Sequence, residues 1–186
     1  MAFHPPICTP ILSNTVVDVT IADVGILPEP IDLTTAKKWL KMESINDDDD
    51  LITDLIVQAR SWLEQYTGML LIQRQVVAQL EIKNRLEFPC GPVELAGLVI
   101  SQNGQTVPAP KLTGLDGGFM GLIGYGIYDV EYMGGYTIVP SSLILALKQY
   151  ISYAYEHRGD GLEESTKEYA YEAKRTAFPY RHNIGF

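Results

Sequence analysis

Four consecutive acids, Asp47, Asp48, Asp49 and Asp50, with Asp54 one turn further on, are the densest ionisable group in the chain. Carboxylates can collect calcium, but a calcium loop needs spaced ligands, a central glycine and a distal glutamate. Successive side chains at a helix start splay around the axis and do not converge on one ion. The run is therefore expected as a solvated helix start, where negative charge meets the positive end of the helix dipole, or as a salt-bridge partner for a neighbouring subunit. The six glycines of GLDGGFMGLIGYG, residues 114–126, invite a phosphate-loop reading. That loop needs GxxxxGK[ST] between a strand and a helix. Here no lysine follows and a strand comes next, so a hairpin tip is expected.

The remaining chemistry is sparse. His4 and Cys8 lie in an irregular segment without a second ligand pair, so no zinc site is expected. His157, beside Arg158, reads as a cap on a helix C-terminus, and His182 lies near the end of the chain. No GxSxG motif occurs, and no Cys–His pairing can be argued. Glu64 and Glu156 are the candidate acids of a hydrolase, but each sits on a helix whose other face is core. The expectation is a protein with no catalytic, cofactor or metal residues and no enzymatic activity. Trp39, Trp62, Tyr150, Tyr153 and Tyr155 could stack nucleic-acid bases. Without interleaved lysine and arginine they read as core and protein interface, and 11 tyrosines in one chain suit protein contact.

Bulk charge narrows the function further. The 186 residues carry 14 Lys+Arg against 23 Asp+Glu, a net −9. A protein that grips DNA neutralises phosphates with Lys and Arg, so duplex binding is not its main task. Seven acids and one base, Arg60, lie between Glu43 and Glu64, whereas Lys167 to the end has four bases and two acids. That asymmetry suggests contacts between copies or with another protein. No run of 18 apolar residues exists to span a membrane. The N-terminus, MAFHPPICTP, lacks the basic and apolar regions of a secretory signal. Cys8 and Cys90 make no disulfide framework, which fits synthesis in a reducing intracellular compartment.

The elements that must position these residues follow from periodicity. Residues 1–31 hold five prolines around a β-branched stretch, Thr15 to Ile21. They read as an arm with at most one strand, in which Val17, Val19 and Ile21 alternate; the arm either packs on its own domain or reaches a neighbour. A short helix is expected at about 34–42, capped by Thr34 or Thr35. A long one is expected at about 48–67, with Leu51, Ile52, Leu55, Ile56, Ala59, Trp62, Leu63 and Tyr66 on one stripe and Gly68 ending it. Strands are expected over 70–82, 93–101 and 127–133, with a turn at Asn103–Gly104. Pro140 opens a third helix with Leu143, Ile144, Leu147 and Ile151 on one face. A further helix is expected near 163–176.

These elements predict an α+β protein that is mainly a helical bundle of three to four helices. A small antiparallel β insertion sits at about 70–135, and the terminal arms are extended. The expected organisation is an N-terminal arm at 1–31, a helical domain at 32–160 and a tail at 161–186 that docks on a partner.

The ordered set LTTAKKWL (33–40), DDLITDLIVQARSWLEQYTGMLLIQ (49–73), PCGPV (89–93), VEYMGGYTIVP (130–140) and LILALKQYISYAYEHR (143–158) resembles the head–tail connector, or adaptor, family of long-tailed bacteriophages. PYR (179–181) extends the resemblance to the tail. The resemblance implies a homo-oligomeric ring of twelve copies beneath the portal, located in the virion neck. Such a ring extends the DNA channel used in packaging and ejection and meets the next neck, stopper or tail protein. It further implies that Phe178, Pro179, Tyr180 and Arg181 belong to a portal-binding tail. Asp47, Asp48, Asp49, Asp50 and Asp54 become candidates for the lumen or an inter-subunit surface. DNA would pass without specific binding. The alternatives are another neck or tail-completion protein, a stopper or tail terminator, or an unrelated bacterial protein-binding domain.

Overall fold

The computed structural model describes residues 14–22, 28–83, 85–110, 120–158 and 170–181. They fall into two compact units. One comprises residues 14–22 and 68–137, together with Arg181; the other comprises 28–67 and 138–180.

The first unit is built on a five-stranded antiparallel sheet. In chain order its strands are β1 (Asn14–Ala22), β2 (Arg74–Ile82), β4 (Val93–Gln102), β5 (Gln105–Thr106) and β7 (Gly126–Gly134). Their spatial order is β1-β2-β7-β4-β5, and a separate pair joins β3 (Arg85–Glu87) to β6 (Met120–Leu122). Strict alternation in β2 turns Val76, Ala78, Leu80 and Ile82 inward. Tyr128, Val130 and Tyr132 of β7 and Ile100 of β4 join them, with Leu70, Leu86 and Phe88 completing the core. Asn103 and Gly104 both adopt positive φ in the two-residue turn from β4 to β5, as expected from the sequence.

Two local constraints hold the unit's irregular parts. The Tyr132 hydroxyl donates to the Cys90 carbonyl at 3.0 Å and accepts from the Cys90 N–H at 3.2 Å. Burial raises the Tyr132 pKa, so the phenol stays protonated. Gly135 has φ 120°, and a Cβ there would sit 2.3 Å from the Ile72 carbonyl oxygen. Only glycine fits that approach.

The second unit is helical: α1 (Leu33–Leu40), α2 (Asp49–Thr67), α3 (Ser141–Glu156) and α4 (Tyr171–Ala177), the last running into a 3-10 turn at Phe178–Tyr180. α3 packs against α1, α2 and α4. Ile52, Leu55, Ile56, Ala59 and Leu63 of α2 are buried, as are Leu143, Ala146, Leu147, Tyr150 and Ile151 of α3. The cap of α1 is Asp32, whose Oδ1 accepts from the Thr35 N–H at 2.7 Å, and not Thr34 or Thr35. Gly68 ends α2 at φ 72°, as expected. α3 begins one residue later than expected, with Pro140 in the cap position.

The expectation of a mainly helical bundle with a small β insertion is therefore wrong. Among the described residues four helices stand beside a five-stranded sheet that has its own hydrophobic core. Two causes account for the difference. β2, β4 and β7 are nine or ten residues long, enough to build an independent core. The strand of the 1–31 segment adds a further ladder, pairing Asn14 with Ile82 and Ala22 with Gln75, so it packs on its own domain. A bulge between Val16 and Asp18 also shifts its phase. Val16, Val19 and Ile21 pack on the core, while Val17 is 52% exposed. Cys90 is disulfide-bonded.

His4, Cys8, His182 and residues 114–119 of the glycine run lie outside the described residues, as does the first half of the helix expected near 163–176.

Candidate functional site

The acidic run opens α2. Asp49 and Asp50 occupy its first turn, and the Asp48 carbonyl accepts from the Ile52 N–H at 2.9 Å. The run divides into engaged and solvent-facing groups. Asp49 pairs with Lys37 Nζ at 2.7 Å, and the same ammonium donates to Asn46 Oδ1 at 2.8 Å. Lys37 comes from α1, and its side chain is only 9% exposed. Asp48 accepts a hydrogen bond from the Tyr155 hydroxyl of α3. That bond raises the Tyr155 pKa. Asp47, Asp50 and Asp54 are exposed. Half of the four-acid run thus ties α1 and α3 to the start of α2, and the rest faces water.

The C-terminal candidates stand on α4. A seven-residue helix does not persist alone; Ala170, Ala173 and Ala177, at i, i+3 and i+7, bury its inner side. Lys174 and Arg175 in its last turn suit the negative end of its dipole. Phe178 and Pro179 are exposed, Tyr180 is partly buried, and Arg181 is exposed. Tyr66 of α2 joins Tyr171, Lys174, Arg175 and Phe178 around an open cleft of about 350 Å³. The sequence reading missed this cleft. Its signal was the alanine spacing, which is easily passed over because alanine marks a close helix contact without a large apolar stripe.

The hydrolase candidates are not brought together as a reacting pair. Glu64 is fully buried and pairs with Arg60 at 3.3 Å, while Arg60 Nε donates to Glu29 at 2.8 Å. Burial opposes the Arg60 charge, but the Glu29 hydrogen bond and the Glu64 charge outweigh it and raise the pKa. A guanidinium between two carboxylates is a structural clamp. Glu156 is exposed at the end of α3.

The aromatic candidates are distributed through the helical packing. Trp62 stacks on Tyr66 and on Tyr150, at centroid distances of 5.5 and 4.6 Å. Trp39 Nε1 donates to Ser152 Oγ at 2.9 Å, and Lys148 lies 5.6 Å from its ring centroid. His157 stacks on Tyr153, and its Nδ1 lies 2.8 Å from the Tyr153 carbonyl at the C-terminus of α3. Among the described residues no group of three or more His, Cys, Asp or Glu side chains could hold a metal ion. No described helix is long and apolar enough to cross a membrane.

The fold has relatives among particle components. The chain is similar to one in the structure titled "Neck of empty GTA particle computed with C6 symmetry", at 15% identity and TM-score 0.64, over 90% of this chain and 97% of that one. A chain of "Virion of native gene transfer agent (GTA) particle" matches at 15% identity and TM-score 0.64, over 89% and 97%. A chain of "Neck of native GTA particle computed with C12 symmetry" matches at 16% identity and TM-score 0.58, over 90% and 97%. What is common to these chains is the fold, along nearly their whole length. No family model matches the sequence, and no curated protein matches it significantly.

Proposed function

We propose that this chain is a structural subunit of the neck of a phage or phage-like particle, acting as a head–tail adaptor. Twelve copies form a ring under the portal, extend the DNA channel and join the capsid to the tail. The observation that carries this reading is the fold shared with neck and virion chains of gene transfer agents over 97% of their length. The resemblance of residues 30–158 to the adaptor family supports it from the sequence. The protein works by shape and catalyses no reaction.

Charge fits the role. A duplex moving through a channel must not adhere to its wall, and a subunit with net −9 has no phosphate-neutralising excess. Asp47, Asp50 and Asp54, the exposed part of the acidic group, are available to a lumen or a neighbouring subunit. Phe178, Pro179, Tyr180 and Arg181 form the portal-docking tail, presented at the end of α4.

Mixing the purified chain with portal rings and imaging the product by electron microscopy tests the reading. The expected product is a portal bearing one added ring. A variant carrying Phe178→Ala, Tyr180→Ala and Arg181→Ala is expected to keep its circular dichroism and lose docking. A chain that ignores portals and caps tail-tube ends is a terminator, and the adaptor reading then fails.

A further inference from the structure

The outward face of the sheet carries an unneutralised charge. All five acids of the sheet strands, Asp18, Glu81, Glu94, Asp129 and Glu131, stand on that face by register. Asp18 pairs with Gln79 and Gln79 with Asp129; Val77 and Val99 both pair with Glu131; Glu81 pairs with Ile127; Glu94 pairs with Met133. The only base in these strands, Arg74, is buried on the other side. Among the described residues four of the five accept from neutral donors: Asp129 from Gln79 at 2.9 Å, Glu94 from Gln73 at 3.2 Å, Glu81 from Tyr125 at 3.1 Å, and Glu131 from Gln75. None of the five has a Lys or Arg partner among the described residues. Between them Val77, Val99 and Ile127 are exposed. A half-apolar, uniformly negative sheet face suits a partner that is half-apolar and positive.

The α4 cleft is such a surface. Tyr66, Tyr171 and Phe178 supply aromatic area, and Lys174 and Arg175 supply charge. Among the described residues Arg175 has no carboxylate partner. We propose that the outward sheet face of one copy docks on the α4 cleft of a second copy of this chain, the Asp129–Glu131 acids meeting Lys174 and Arg175. Two different patches meet in this contact, so it is head-to-tail and propagates from copy to copy as a ring needs. The inference rests on the ring reading above and names the surfaces that build the ring.

Paired charge reversal tests it. One variant carries Lys174→Glu and Arg175→Glu, the other Asp129→Lys and Glu131→Lys; all four positions are at least partly exposed, so both are expected to fold. Self-association is followed by sedimentation velocity at high protein concentration and low salt. The wild type is expected to associate and to weaken as salt rises. Each variant alone should associate about tenfold or more weakly, because like charges then face each other. An equimolar mixture of the two should recover assembly, since each then offers the other a complementary patch. Wild-type association in both single variants, a mixture that fails to recover, or a wild type that stays monomeric throughout overturns the proposal. The neck reading is judged separately, by where the unaltered chain sits in particles. A chain found at the neck whose assembly ignores these reversals refutes only the contact.

Discussion

Replacing Lys37 by methionine tests whether the acidic run serves the chain's own fold. Lys37 Nζ lies 2.7 Å from Asp49 Oδ1 and 2.8 Å from Asn46 Oδ1, with its side chain 9% exposed against 33% for Asp49. Hydrogen bonds to charged groups contribute about 1.5–3 kcal/mol when buried, and exposed pairs about 0.2–1 kcal/mol. A pair with one buried and one partly exposed member falls between, so the Lys37–Asp49 coupling should be about 1 kcal/mol. The whole Lys37→Met substitution should cost about 2 kcal/mol, since the Asn46 bond is lost as well. The assay is urea unfolding followed by tryptophan fluorescence. Both tryptophans, Trp39 and Trp62, lie in the helical unit, so the signal reports that unit alone. With a urea dependence of about 2 kcal/mol per molar, Lys37→Met should lower the midpoint by about 1 M. A cycle with Asp49→Asn should return the coupling, and Asp47→Asn, at an exposed position, should change stability by no more than about 0.5 kcal/mol. A Lys37→Met midpoint equal to wild type, or a coupling near zero, refutes the argument for Asp49.

Gly135→Ala should destabilise the sheet unit by about 2 kcal/mol or more, because φ 120° and the 2.3 Å approach to the Ile72 carbonyl both exclude a side chain. Thermal unfolding measures it, and a melting temperature within a degree of wild type contradicts it. Leu147→Ala, at a fully buried site on α3, should cost about 2–5 kcal/mol by the fluorescence assay. The Thr35 hydrogen bonds hold the Asp32 pKa below its ordinary 3.8. The Asp32 contribution is therefore present above that value and lost as pH falls through the lowered one. The stability gap between wild type and Asp32→Ala should be open at neutral pH and close under acid; a gap unchanged down to pH 2 refutes the capping role.

Local features were legible because their causes are local. The stripe of α2, its stop at Gly68, the Asn103–Gly104 turn and the helix after Pro140 all follow from periodicity and backbone preference. The balance of the fold was not legible, because it depends on which distant strands pair. Nothing near Asn14 announces that it will meet Ile82, and no side-chain pattern reveals the bulge that turns Val17 outward. The site divided in the same way. The acids 47–50 could be placed at a helix start, but Lys37 and Tyr155, which hold two of them, come from other helices. Aromatic residues 178 and 180 stand close together near the C-terminus, whereas Tyr66, which shares the cleft with Phe178, is far from them in sequence. The acidic sheet face emerges only once the register aligns Asp18, Gln79 and Asp129.

The claim that this chain is a neck component is tested most directly by locating it in intact particles. Particles assembled with a gold-labelled copy of the chain, imaged by electron microscopy, should carry label at the head–tail junction and at no other position. Label on the capsid shell, along the tail tube, or absent from finished particles would contradict the account.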